Sequence, residues 1–367
     1  MRKISTVQMI GNEIFKKQNL TIGLDLGDRW SFYSMWDETG QIVLEQKLAT
    51  TCEAMRRAFE KLLRSRIVLE TGTHSPWVSR LLTELGHEVI VAHAQKVQLI
   101  TKSSRKDDRH DARALARLGR IDPELLGPVR HRSMRAQIHL TVIRARAELV
   151  SARTALVNAA RGLAKSYDGQ RLPKCGTQRV SRELAAGLRT ELREILEPLL
   201  EEVESLNERI QEYDKRIEQI AKEVYPETTL LKQVKGVGTQ IALTYILTID
   251  DPHRFPKSRE VGCFLGLRPG RRNSGQSEPQ KRISKEGDRY LRTMLVQGAQ
   301  YILGPFGEDS DLRRWGRKLA ERGGKNAKKR AIVAVARKLA VLLHHLWVTG
   351  EVYEPLHNNQ NAEPAAA

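Results

Sequence analysis

Residues 20–49, LTIGLDLGDRWSFYSMWDETGQIVLEQKLA, decide the fold of the first part of the chain. Within them LTIGLDLG (20–27), SFYSMWD (31–37) and QIVLEQKLA (41–49) read as successive strands, with Asp37-Glu38-Thr39-Gly40 as the turn between the last two. Outward from there, a helical stretch around CEAMRRAFEKLLRS leads to a short apolar strand, RIVLE (66–70). A helix around PWVSRLLTELG, a strand HEVIVA (87–92) and further helical pattern to Gly119 follow. Two hairpin connections and then βα units make a mixed α/β sheet.

The order β-β-β-α-β-α-β-α predicts a ribonuclease H-like arrangement, with the first and fourth strands parallel and adjacent. Asp25, near the end of the first strand, and Glu70, ending the fourth, then meet at the strands' carboxyl ends, where open α/β sheets bind ligands. Two such acids repel each other unless a cation lies between them, and all-oxygen sites suit Mg²⁺. In KDDRHDARALARL, Asp108 and Asp111 stand three apart and share a helical face. Acids in a first helical turn also serve as caps and complement the macrodipole, so that reading stays open. Asp107 competes with Asp108 but lacks the partner three residues on, and His110 reads as a solvated helix residue. Carboxylate-bound metal could activate an attacking oxygen and stabilise a leaving one on phosphorus.

Beyond this region the pattern turns helical. Ile138, Val142, Ala145, Leu149, Ala152, Leu156, Ala159 and Leu163 recur at alternating four- and three-residue steps. Leu196, Leu199, Val203, Leu206, Ile210, Tyr213, Ile217, Ile220 and Val224 do the same. Such seams predict a coiled-coil connector, either an antiparallel hairpin across the loop DGQRLPKCG (168–176) or a pairing of two subunits. Pro198 marks a kink or a helix start.

The last third carries Val234-Lys235-Gly236-Val237-Gly238 before an apolar helix pattern. Two glycines in a tight turn expose backbone N–H groups to a phosphate, as in a helix-hairpin-helix motif, although a plain helix-helix turn fits as well. Farther on, Ser274-Gly275 follows Arg271-Arg272 and precedes Lys281-Arg282 and Lys285. A serine accepts a phosphoryl group only if its proton is removed and the charge on phosphorus is offset. The basic residues meet the second condition and nothing adjacent meets the first; on spacing alone Ser274 is a loop residue.

Composition bounds the rest. With 62 Lys and Arg against 44 Asp and Glu the net charge is +18, and +10 of it falls between Arg268 and Arg330, where 17 basic residues face 7 acidic ones. That excess favours a polyanionic partner. Cys52, Cys175 and Cys263 are too scattered for a zinc site or disulfide framework, which fits a reducing cytoplasm. No apolar run approaches a membrane span, and the first residues lack the apolar segment of a secretory signal.

Taken in order, GLDLG with Asp25, VLETGTH with Glu70 and KDDRHDA with Asp108 and Asp111 resemble the four acids of the DEDD-type insertion-sequence transposases of the IS110 family. VKGVG, FLGLRPGRRNSGQS and ISKEGDRYLR resemble that family's C-terminal transposase domain. The resemblance runs from about Leu20 to Gly350. It implies a RuvC-like domain over 20–125, a coiled-coil connector over 133–226 and a mainly helical transposase domain over 228–350. An N-terminal arm (1–19) and a disordered, polar tail (351–367) flank them. It also implies that Ser274, with Ser277 as the nearby decoy, attacks a DNA phosphate to form a phosphoserine intermediate beside Mg²⁺ held by Asp25, Glu70, Asp108 and Asp111. Lys235, Gly236, Gly238, Arg271, Arg272, Lys281, Arg282 and Lys285 are the expected nucleic-acid contacts. The implied partners are donor and target DNA, a structured bridge RNA, and further copies of the chain in a dimer or tetramer, with no membrane. One departure is Gly27-Asp28, where family members carry a small residue and then Lys. A RuvC-like nuclease using water, and a non-catalytic nucleic-acid-binding scaffold, are the alternatives.

Overall fold

A computed structural model describes residues 19–101, 107–167, 169–270 and 281–357, the side chains of 98–101 excepted. The expected arm before Asn19 and the end of the expected tail after His357 lie outside the described residues. The chain divides into two compact units, Met1–His131 and Arg132–Ala367.

The N-terminal unit is built on a five-stranded mixed sheet: β1 (Thr21–Asp25), β2 (Trp30–Trp36), β3 (Ile42–Ala49), β4 (Arg66–Glu70) and β5 (Glu88–Ala92), in the spatial order β3-β2-β1-β4-β5. β1 runs antiparallel to β2 and parallel to β4, with Leu24 opposite Leu69. Because side chains alternate along β4, its two faces feed two cores. Ile67 and Leu69 pack with Met55 and Phe59 of α1 (Cys52–Phe59) and with Val78 and Leu82 of α2 (Ser75–Glu84). Val68, on the other face, packs with Leu115 and Leu118 of α4 (Asp108–Ile121), which follows the short α3 (Ala94–Thr101). Helices thus cover both faces of the sheet, and β1 and β4 form its buried centre.

The C-terminal unit is helical. α5 (Met134–Ser166) and α6 (Thr190–Val224) fold back on each other as a hairpin within one chain. Arg146 forks onto Asp214 at 2.6 and 3.1 Å, and Arg153 donates to Asn207 at 2.8 Å. On α6 the anticipated seam lies inward, with Leu196, Val203, Leu206, Ile210 and Ile217 buried and Leu199, Tyr213, Ile220 and Val224 half-buried. On α5 it is so only in part: Val142 is buried, but Ile138, Ala152, Ala159 and Leu163 are exposed, and the other buried residues are Ala136, Leu140, Ile143, Val157, Ala160 and Ala164. Pro198 lies inside α6 rather than at its start, on an exposed face where the freed carbonyl can bond to water. Leu196 is fully buried in the hairpin. Leu196→Ala is expected to lose about 2–5 kcal/mol in chemical unfolding, as buried Leu→Ala changes do.

The remaining helices are α7 (Thr228–Lys232), α8 (Thr239–Ile249), α9 (Val261–Phe264), α10 (Arg289–Leu303), α11 (Asp311–Glu321) and α12 (Ala327–Thr349). α8 is apolar all round and buried along nearly its whole length, with the Tyr245 hydroxyl donating to the Ala340 carbonyl at 2.6 Å. By length and composition α12 could cross a membrane, which the sequence had not suggested. Its Val335, Leu339 and Leu343 nevertheless sit fully buried in the core shared with α8 and α10, the setting of a core helix. Residues assigned to the tail are also held: Tyr353 N–H donates to Gln233, and Asp311 N–H to the Pro355 carbonyl at 2.7 Å.

Candidate active site

Asp25 and Glu70 are the last residues of β1 and β4, so the parallel register sets them side by side at the carboxyl ends of adjacent strands. α4 brings the other two acids to this edge. It lies so close to β1 that a Cβ on Gly23 would stand 1.9 Å from the Ala112 carbonyl oxygen and 2.5 Å from the Ala116 nitrogen. Only glycine fits there. The close packing directs the first turn of α4, with Asp108 and Asp111, toward Asp25.

A row of arginines fixes the rest of α4. Arg109 lies over the Phe32 ring at 5.6 Å and Arg117 over the Trp36 ring at 5.6 Å. Between them Arg113 forks onto Glu45 at 2.7 and 2.6 Å, and its hydrogen bonds hold the Glu45 carboxyl below the usual range. Arg120 donates to the Glu38 carbonyl at 2.9 Å. The 109-113-117-120 spacing is visible in the sequence as one helical face, but nothing in that spacing marks its positioning role.

Electrostatics report how near the acids are. Burial, then Asp111, Asp108 and Glu70, push the Asp25 carboxyl up to about 6. Burial and then Asp111 raise Glu70. Asp107 plays a different part, since its carboxylate caps α4 by accepting from Arg109 N–H at 3.2 Å. Asp28 is exposed and pairs with His74 at 3.5 Å, and His110 is exposed. Among the described residues no three acidic, His or Cys side chains already converge at ligating distance. The four carboxylates still fit a cation, because they offer only oxygen and their mutual repulsion is what a positive charge relieves.

In the C-terminal unit, Lys235-Gly236-Val237-Gly238 forms the tight turn between α7 and α8, with Gly236 at φ 94° and Val237 N–H on the Val234 carbonyl at 2.9 Å. Beside it is a concavity of about 430 Å³ lined by Lys232, Lys235, Gly238, Gln297 and Tyr301. Lys235 is exposed and reaches Glu308 at 3.2 Å. Farther along, Pro269 and Ile283 pair as an isolated antiparallel bridge, which joins the two ends of the 271–280 segment. Lys281, Arg282 and Lys285 are exposed just beyond it. Ser274, Ser277, Arg271 and Arg272 lie outside the described residues.

Both halves match known families. A family model described as "Transposase IS116/IS110/IS902 family" matches residues 228–314, and one for the DEDD transposases of IS110, described as "Transposase", matches residues 22–167. The chain belongs to the IS110 family of transposases. It is 29% identical to the transposase for insertion sequence element IS1111A of Coxiella burnetii, over 93% of this chain and 94% of that protein. It is also 29% identical to a probable family 20 transposase of Pseudomonas aeruginosa, over 91% and 98% of the two chains. A putative transposase of Sinorhizobium fredii, y4pF/y4sB, is 28% identical over 92% of this chain. As an IS110-family transposase the chain has DNA as its substrate, and its DEDD domain suggests the use of a divalent metal.

Proposed function

We propose that this transposase cuts and rejoins donor and target DNA through the Ser274 hydroxyl, with a divalent cation held by Asp25, Glu70, Asp108 and Asp111. The observation that carries the reading is the half-buried Asp25 carboxyl at the carboxyl end of its strand, raised to about 6 by burial and by three neighbouring acids. Acids so arranged are a poor structural choice unless a cation joins them. The reading of the N-terminal unit as ribonuclease H-like is supported by the β3-β2-β1-β4-β5 order with β1 and β4 parallel.

In the reaction the Ser274 oxygen gives up its proton and bonds to phosphorus, and the bond from phosphorus to the departing DNA oxygen breaks. That oxygen takes up a proton. In the second half a DNA hydroxyl attacks the same phosphorus and Ser274 recovers its proton, so the number of phosphoester bonds is conserved. A bound divalent cation offsets the charge that builds up on the phosphoryl and leaving oxygens. Arg271, Arg272, Lys281, Arg282 and Lys285 surround the serine in sequence and supply further positive charge to the phosphate. The turn at Lys235, Gly236 and Gly238 grips DNA backbone. Family resemblance supplies the bridge RNA that selects the DNA, a dimeric or tetrameric assembly, and a cytoplasmic setting.

The test is strand transfer on the element's ends with the cognate RNA. The wild-type chain is expected to form a covalent protein–DNA adduct that survives denaturation, and Ser274→Ala is expected to form none. An adduct of undiminished yield in Ser274→Ala rules out the nucleophile; cleavage without any adduct in the wild type points to water as the attacking group.

A further inference from the structure

Seven exposed cations crowd the turn between α11 and α12: Arg317 and Lys318 on α11, Arg322 and Lys325 in the turn, and Lys328, Lys329 and Arg330 on the first turn of α12. Against them stands one acid in the stretch, Glu321, so residues 317–330 hold +6 of the molecule's +18. The segment lies beyond both family matches, which end at 314 and 167.

The backbone gathers these charges at one end of a helix pair. Gly323, Gly324 and Asn326 take φ of 75°, 85° and 69°, which reverses the chain within a few residues. α11 then packs tightly on α12, since a Cβ on Gly316 would stand 2.5 Å from the Val335 Cγ2. Arg330 folds back over the turn, its guanidinium 3.6 Å from the same point on Gly324. Among the described residues none of the seven has a carboxylate at salt-bridge distance. Some other arginines of this unit are paired: Arg132 and Arg144 converge on Asp288 at 3.2 and 3.1 Å, and Arg146 on Asp214 at 2.6 Å. Clustered cations without counter-charge repel one another, and a polyanion relieves that repulsion while releasing its own counterions.

We propose that the α11–α12 turn, residues 317–330, is a docking surface for the phosphate backbone of duplex DNA, separate from the contacts around the 271–280 segment. Two features favour duplex backbone over other nucleic acid. The stretch carries no aromatic residue, and the nearby Trp315 ring is capped by the Lys338 ammonium 4.1 Å from its centre, so no platform is free for stacking unpaired bases. Asn326 is its only neutral amide, so the surface positions DNA and does not read its sequence. The inference rests on DNA being this family's substrate.

The test is equilibrium binding of the full-length protein, without divalent metal, to a DNA duplex of unrelated sequence across a salt series. Wild-type binding at low salt checks the substrate reading by itself. Combined Lys325→Gln, Lys328→Gln and Lys329→Gln is expected to weaken binding at least about tenfold and to flatten the slope of log affinity against log salt by about 2 to 3. Arg at the same three positions is expected to preserve the slope, and unfolding midpoints of all variants to stay at the wild-type value. A second variant, Arg317→Gln with Arg322→Gln, is expected to flatten the slope by about 2 from the other side of the turn. Wild-type slopes in both Gln variants overturn the proposal, as does loss of binding in the Arg variant. So does a loss confined to folded RNA with duplex binding intact.

Discussion

Replacing Gly23 by Ala is expected to destabilise the N-terminal unit by about 3 kcal/mol or more, at the upper end of what overpacked cores lose. The added methyl would meet the Ala112 carbonyl oxygen and the Ala116 nitrogen, both backbone atoms of α4. Backbone cannot rotate out of the way as a side chain can, so the whole helix must move off β1. Lifting α4 also breaks the Arg113–Glu45 fork and moves Asp108 and Asp111 away from Asp25, so strand transfer should fall with stability. Gly72→Ala is the matching control, because a Cβ there meets nothing within 4 Å and φ is not positive. Its unfolding midpoint should stay within about 0.5 kcal/mol of wild type. If Gly23→Ala unfolds at the wild-type midpoint, the close approach of α4 to β1 does not position the acids.

This dependence on Gly23 explains what the sequence could reveal. Strand periodicity depends on which residues are apolar, and that information is local. The three opening strands, the parallel β1–β4 pair and the ends occupied by Asp25 and Glu70 were therefore legible. The distance between a helix and a sheet depends on what is missing from a side chain, and a glycine in TIGLD carries no sign of its neighbour. The α5 seam was legible only in part: Val142 is buried as expected, while Ile138 and Leu163 face outward and Ala136, Ala160 and Ala164 are buried instead. The arginine row on α4 was readable as a face, but its partners Phe32, Glu45 and Trp36 lie far off in sequence. Ser274 had no local base to mark it, and the role proposed for it rests entirely on family resemblance.

Asp25→Asn is expected to separate stability from chemistry. In the unfolded chain the carboxyl ionises near its ordinary 3.8, and in the folded protein near 6, so the fold binds the proton more tightly. The stabilisation tied to that proton is complete below about 3.8 and is lost as pH rises through about 6. The full displacement corresponds to about 3 kcal/mol, and solvent screening of a partly exposed group leaves about 1–2 kcal/mol. Metal-free wild type should therefore lose stability relative to Asp25→Asn as pH rises across that interval. Glu70, raised in the same direction, contributes a slope of the same sign to both proteins. At neutral pH the variant should thus be the more stable protein without metal, and a divalent cation should stabilise the wild type far more than the variant. Activity should move the opposite way. Outer-shell groups around metals are worth about 10–100-fold, so loss of a direct ligand should cost strand transfer at least about a hundredfold. Wild-type activity in Asp25→Asn removes the metal role, and a metal-free wild type that gains stability relative to the variant across this interval removes the electrostatic account of the cluster. A variant both sturdier and inactive is the signature of acids kept together against their own repulsion because the reaction needs what they bind.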